Sequence, residues 1–268
     1  MRDSFQRLMS WHAGTRAPLS DMLYRFSRRY IMAWSNIEND LGANGEGWVL
    51  RTILARRTEA PVIFDVGANI GDWSAMVVPH LPQARLLAFE PVPPVREKLK
   101  KSLAGTSAEV LSYALSNEAG SVTINYTPDN PHLSSLVSME GDSAIAVSSV
   151  EVERRTGDDL CRDLGIDRIR FLKVDTEGHD LGVLQGFARM IAEGRIDVIQ
   201  FEYNYMSIYS RTFLKDFYDM LAPGMAIGRL LPNRVEFAEY DFAADNFIQS
   251  NWIAVRADLT EDRAALSR

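Results

Sequence analysis

Three short clusters in this chain carry side chains suited to binding or proton transfer. The first is Asp65-Val-Gly67-Ala-Asn69-Ile-Gly71. Gly67 and Gly71 let the backbone turn sharply and a ligand come close. The residues after Gly71 read as a helix, whose first free N–H groups suit an anionic group. This is not the dinucleotide fingerprint G-x-G-x-x-G, because Asn69 holds its second glycine position. A carboxylate at Asp65 would repel a pyrophosphate and attract an ammonium. S-adenosylmethionine (SAM) carries an ammonium and a carboxylate but no phosphate, so it suits the loop better than a nicotinamide dinucleotide does. A tight strand-to-helix turn without a ligand is the plain alternative.

Glu90 is the second signal. It ends an apolar run and precedes Pro91. An acid at that place can accept both hydroxyls of an adenosine ribose. The third is Lys173-Val-Asp175-Thr-Glu177-Gly178-His179-Asp180, which crowds four titratable groups into six residues. Crowded acids raise one another's pKa, and an imidazole among them stays protonated longer. Asp175, Glu177 and His179 are therefore candidates to orient a hydroxyl and take its proton. Helix capping by Thr176 or Asp180 is the competing account. A divalent metal on these acids is an alternative that one short acidic run does not support, and no metal ligands are assigned. Three lesser candidates share this edge. Asn204 is placed to hydrogen-bond a substrate, Glu46 sits beside Asn44 near the amino-acid end of a cofactor, and Ser116 stands where an adenine edge belongs. Each also reads as an ordinary turn or cap.

The elements that position these clusters alternate. Val62–Phe64, Arg85–Glu90, Glu109–Leu115, Arg170–Asp175 and Ile196–Glu202 read as strands. Helices are expected over Glu46–Arg57, Asp72–His80, Pro94–Leu103, His179–Glu193 and Thr212–Leu221. Strands separated by helices of this length imply a parallel, doubly wound sheet, with ligands at the carboxyl ends of the strands. Ser121–Tyr126 and Ser148–Arg154 alternate at period two and read as an inserted antiparallel hairpin. Met225–Leu231 and Asn251–Val255 are final strands. Residues 1–45 differ. They are rich in aromatics and arginine, and read as a helical extension serving as a substrate lid or a dimer contact. The domain proper is expected over 46–268.

Composition narrows the partners. The net charge is −7 over 268 residues, which argues against nucleic acid, since phosphate binding wants a basic face. The cluster Arg25, Arg28 and Arg29 reads as a solvated helix face. The single cysteine, Cys161, allows no intrachain disulfide and reads as a buried, inert thiol. His12, His80 and His132 show no metal-ligand spacing. No apolar stretch is long enough to span a bilayer, and arginines interrupt the N-terminal region, so no membrane partner and a cytoplasmic protein are expected.

Taken together, the motifs resemble the FkbM family of SAM-dependent methyltransferases. The resemblance rests on Phe64–Gly71, Phe89-Glu90-Pro91, Ala114–Asn117, Leu172–Gly178 with Leu184 and Gly186 following, and Ile199–Asn204. It covers about residues 44 to 256. It implies a class I Rossmann-like fold with a seven-stranded, mostly parallel sheet. It implies too that Asp65, Gly67, Asn69, Gly71 and Glu90 hold SAM while the Asp175–Glu177 loop faces the transferred methyl. Asp180 fills the place of a second acid common in the family, preceded here by His179. The expected activity is O-methylation of a small-molecule hydroxyl, as in a sugar or natural product, by an enzyme that is a candidate homodimer. Two alternatives stand beside it: a nicotinamide-dependent oxidoreductase and a non-catalytic scaffold of the same fold.

Overall fold

The computed structural model describes the chain except residues 1, 17, 39, 55–59, 128–129 and 136–147. The chain divides into two compact units, Met1–Ile37 and Glu38–Arg268. The first comprises helices α1 (Arg2–Gly14) and α2 (Pro18–Trp34). They meet at a polar corner, where the His12 carbonyl accepts hydrogen bonds from Thr15 Oγ1 and Ser20 Oγ, each at 2.7 Å.

The second unit begins with α3 (Glu46–Leu54), followed by β1 (Val62–Val66), α4 (Asp72–Val77), β2 (Arg85–Phe89), α5 (Pro93–Ser102) and β3 (Glu109–Leu111). Next come β4 (Ala114–Leu115), β5 (Gly120–Thr127), β6 (Asn130–Ser135), β7 (Ser148–Arg155), α6 (Gly157–Asp163) and β8 (Ile169–Val174). The chain continues through α7 (Asp180–Gln185), α8 (Ala188–Ala192), β9 (Ile196–Tyr203), α9 (Ser207–Ser210), α10 (Leu214–Leu221) and β10 (Met225–Leu231). It closes with β11 (Arg234–Phe237), β12 (Ser250–Arg256) and α11 (Thr260–Leu266).

The large sheet has the order β11-β10-β12-β9-β8-β1-β2-β3. Neighbouring strands from β9 to β3 pair in parallel, and β12, β10 and β11 add antiparallel pairs. This is the expected Rossmann-like, doubly wound sheet, with eight strands rather than seven. The extra strand is β11, which follows the two-residue turn after β10. The strand order reverses between β1 and β8. That switch point opens a crevice at their carboxyl ends.

Successive residues of the central strands point to opposite faces, and both faces are covered. Phe64, Leu87, Leu172 and Ile199 join one buried cluster, capped by α6, α7 and α10 residues such as Leu160, Leu184 and Phe217. Ile63, Leu86, Phe171 and Val198 join the other, against Val49, Trp73 and Leu266. Strands buried on both sides are near-continuously apolar, as in Leu86–Phe89. Each fully buried large apolar side chain stabilises the fold by about 1.5–3 kcal/mol.

The amino edge of β8 and β9 holds a paired charge network. Buried Arg170 donates to Asp197 at 3.2 Å, to Asp262 of α11 at 2.7 Å and to the Ile53 carbonyl at 3.3 Å. Asp197 also accepts from Arg168 at 2.6 Å and Arg256 at 2.8 Å. The network ties α3 and α11 to the sheet.

Three expectations are corrected. The stretch Glu109–Leu115 is not one strand: β3 stays in the large sheet, while β4 pairs with β7 in a second sheet of order β4-β7-β5-β6. That second sheet replaces the expected simple hairpin. Its Ile124 and Val152 pack on Val92 and Val95 at the start of α5. The expected helix His179–Glu193 is two short helices, broken at Gly186. A Cβ on Gly186 would stand 2.1 Å from the Ser116 carbonyl oxygen, so the backbones approach too closely for any other residue. The expected helix end at 55–57 lies outside the described residues, as does the His132 side chain.

Candidate active site

The crevice at the switch point is a cavity of about 490 Å3 within the second unit. Its walls come from the loops after β1, β2, β8 and β9, from the start of α3, from Tyr113–Leu115 and Ile124, and from Gln249 and Asn251 beside β12.

The β1 loop is built by crossing its neighbours. The N–H groups of Gly67 and Ala68 both donate to the Phe89 carbonyl, at 3.1 and 2.9 Å. Gly67 has φ +80°, and a Cβ there would sit 1.9 Å from the Asp175 carbonyl oxygen. Only glycine meets both conditions. Asn69 lines the cavity, also in a left-handed conformation (φ 51°). Gly71 precedes α4 and lies off the cavity wall among the described residues.

Asp65 lies beneath the floor. It is fully buried, accepts from Ser74 Oγ at 2.6 Å and stands 3.8 Å from Lys173 Nζ. The sequence expectation of a direct ammonium contact is therefore replaced. Asp65 anchors α4 through Ser74, and its burial raises its pKa against the opposing pull of Lys173. Lys173 itself donates to Asp175 at 3.0 Å and lies over the Trp73 ring at 5.8 Å. Burial alone would lower its pKa. Asp175, Asp65 and Glu46 more than offset that, so its ammonium stays charged.

Glu46 and Glu90 line the cavity from opposite sides of the loop. Glu46 accepts from Asn44 and from Gln200, both at 2.7 Å, and burial raises its pKa. Glu90 accepts the N–H groups of Val92 at 2.8 Å and Asn69 at 3.2 Å. Burial pushes its pKa up to about 7, opposed by those backbone hydrogen bonds. Each Glu90 oxygen has a second lone pair for a hydroxyl donor.

The far end is acidic. Asp175, Glu177 and Glu202 all line it, with Asn204 and Gln249 between them and solvent-facing Tyr205. The Asn204 side-chain N–H donates to Glu202 and also holds Glu177, while its oxygen accepts the Met206 N–H at 2.8 Å. Gln249 donates to the other Glu202 oxygen at 2.8 Å. Burial, then Asp175 and Asp180, push Glu177 up to about 8. Burial and the charges of Asp175, Glu177 and Asp180 hold Glu202 well above the usual carboxylate range. Glu177 has φ 52°. A left-handed backbone is strained for glutamate, and such strain gathers at functional sites.

Asp180 is structural. It is buried and accepts from the Thr176 N–H and hydroxyl and from the Glu202 N–H. The His179 ring packs over Gly182 and meets Ser116 Oγ at 2.9 Å. Neither His179 nor Ser116 lines the cavity among the described residues. The expectation of a longer-protonated imidazole is corrected too. Burial, and then Arg154, lower the His179 pKa. Cys161 is buried, with its thiol pushed up to about 12, as an inert thiol requires.

Sequence reasoning gave no role to Glu202, Lys173 or Gln249. The usable signal was in the carboxyl half of β9, where Gln200 and Glu202 alternate with buried Ile199, Phe201 and Tyr203. Among the described residues no cluster of three or more His, Cys, Asp or Glu side chains is arranged to hold a metal ion.

Residues 65–223 match the Methyltransferase FkbM domain. The chain belongs to the FkbM methyltransferase family. It is 33% identical over 162 residues to Methyltransferase sdnD of Sordaria araneosa, covering 50% of this chain and 62% of that protein. The match to sdnD thus spans less than two thirds of that relative's length. It is 26% identical over 201 residues to Hexuronic acid methyltransferase AglP of Haloferax volcanii, covering 72% and 80%. It is 25% identical over 192 residues to 2-O-methyltransferase NoeI of Sinorhizobium fredii, covering 65% and 72%.

Proposed function

We propose that this methyltransferase binds SAM in the cavity and methylates a hydroxyl oxygen of a small, uncharged acceptor such as a sugar. The observation that carries the reading is the charge of the walls. Seven carboxylic side chains line the cavity, Glu38 and Asp72 among them, against one lysine and no arginine among the described residues. A cationic sulfonium compound suits such walls and a dinucleotide pyrophosphate does not. A cavity near 490 Å3 is of the size that holds a cofactor of this kind.

In this reading Glu90 holds the ribose hydroxyls, and Asn69 and the β1 loop close over them. Glu46 and Asp175 face the amino-acid end, with Lys173 kept charged to balance them. Tyr113 and Leu115 provide an apolar wall for the adenine. SAM supplies a methyl group already activated by its sulfonium. The protein has then to align the acceptor oxygen and remove its proton. Glu177 is the base, since its carboxyl is raised toward neutrality and lies at the open end. Glu202, fixed by Asn204 and Gln249, keeps a second carboxyl beside it, so a proton taken by Glu177 is shared locally. His179 positions the loop by holding Ser116 and takes no proton. The names of AglP and NoeI support a sugar hydroxyl. The three carboxyl groups at the acceptor end favour a neutral sugar over a uronate.

Isothermal titration with SAM, S-adenosylhomocysteine and NADH tests the cofactor. Micromolar binding of the first two, about −8 kcal/mol, with no NADH heat is the expected result. NADH binding without SAM binding would overturn it.

A further inference from the structure

Helix α2 presents an apolar stripe to solvent. Leu19, Met22, Leu23, Phe26, Tyr30 and Trp34 are between 44% and 67% exposed. At about 100° per residue they fall in one arc of roughly a third of the helix circumference. Tyr30 and Trp34 stack within it at 6.3 Å. Arg29 borders the arc on one side, and Arg25 and Arg28 follow round with Asp21 and the exposed Met32, while exposed Tyr24 and Ile31 extend the apolar face beyond its other side. A 17-residue helix with this much bare apolar surface is marginal in water without a partner.

Charge decides which partner. Residues up to Ile37 hold six arginines, two aspartates and no lysine or glutamate, a net +4 in a chain of net −7. The remainder is therefore near −11. Two copies of a +4 segment repel, which disfavours stripe-to-stripe dimerisation. An anionic bilayer offers both missing complements, an apolar interior for the stripe and negative headgroups for the arginines. An amphipathic helix with Trp, Phe and Leu on one face and arginine on the other lies in such an interface, its long cationic side chains reaching the headgroups.

We propose that α2 docks this enzyme reversibly on an anionic lipid surface, lying in the plane of the bilayer. The site departs from the sequence expectation of no membrane partner. It requires no spanning segment, and no described helix is long and apolar enough to cross a membrane. It is independent of the cavity chemistry.

The test is co-sedimentation of the full chain with vesicles of phosphatidylcholine alone or with about one third phosphatidylglycerol. The expected result is binding to the anionic vesicles at least tenfold tighter, weakening as salt rises. Each arginine near the surface contributes about 1 kcal/mol, so Arg25→Glu/Arg28→Glu/Arg29→Glu should lower the partition coefficient by about 100-fold or more. Phe26→Asp should abolish binding while the thermal unfolding transition of the same sample is unchanged, which shows an intact fold. Absence of sedimentation with either vesicle overturns the proposal. Equal binding to both vesicles, or a lipid-free dimer in light scattering that Phe26→Asp dissociates, overturns it as well, the last in favour of a second copy.

Discussion

The two ends of strands β8 and β9 treat buried charge in opposite ways. At the amino edge, Arg170, Arg168 and Arg256 face Asp197 and Asp262, and every carboxylate has a guanidinium within 3.2 Å. At the carboxyl edge and on neighbouring β1 and β2, the acids Asp65, Glu90, Asp175, Glu177, Asp180 and Glu202 outnumber the cations that act on them, Lys173 and, beside Glu90, Arg96. A matched network locks helices to a sheet. An unmatched one, through burial and mutual repulsion, raises the pKa of Glu90, Glu177, Asp180 and Glu202 and suits a cationic ligand. The same strands thus carry the paired charges at one end and the cavity acids proposed for proton transfer at the other.

Breaking the matched end should have the largest effect. Arg170→Met leaves Asp262 buried without its cation and should cost about 3–5 kcal/mol in urea unfolding. SAM affinity of the folded fraction should stay as it was. A loss of SAM affinity without loss of stability would erase the distinction between the two edges.

At the unmatched end, Glu177→Gln should lower kcat on a sugar hydroxyl about 100-fold or more, with SAM affinity nearly constant. The wild-type rate should rise with pH as Glu177 ionises, along a limb at or below pH 8, because the bound sulfonium favours the carboxylate. The variant should lack that limb. Retention of the limb in Glu177→Gln would move the base elsewhere, first to Glu202. A smaller effect is expected at Glu90. Glu90→Gln removes one acceptor from the ribose and should weaken SAM about tenfold by titration.

The two edges also separate by pH. Glu177, Glu90 and Asp180 have folded-state values of about 8, 7 and 7, above their ordinary 4.5, 4.5 and 3.8. The native state therefore holds more protons than the unfolded state in between. Their contribution is fully present below about pH 4 and is lost as pH rises through 7 to 8. The Tm of the ligand-free enzyme should fall by several degrees from pH 6 to pH 9. Saturating SAM should flatten that slope. A Tm that climbs over the same range would mean these acids are compensated by cations.

The parts of this architecture written locally were legible. The apolar run Val62–Phe64, Gly67, Glu90 and the Asp175–Glu177 loop announce a ligand edge through turn chemistry, and the structure brings Gly67, Glu90, Asp175 and Glu177 to one cavity. What local periodicity missed depends on contacts across long separations. The break at Gly186 answers to the Ser116 carbonyl, 70 positions earlier. The split of Glu109–Leu115 answers to β7. Arg170 reads as the opening of an apolar strand, and only Asp197 and Asp262 make it a keystone. Asp65 and His179 have chemistry-bearing types in chemistry-bearing places, yet they face Ser74 and Ser116 rather than the cavity. A residue's type and strand register do not say which neighbour claims it first.

Asp180 bears on how this enzyme can diverge. One carboxylate holds Thr176 of the β8 loop and the Glu202 N–H of β9, so the two loops that carry the acids move as one piece. A drift in either must be matched in the other. New acceptors are then accommodated by the wall away from those loops, at Ile124 of the small sheet. In an evolving lineage the acid-bearing jaw stays put while the wall facing it is rewritten.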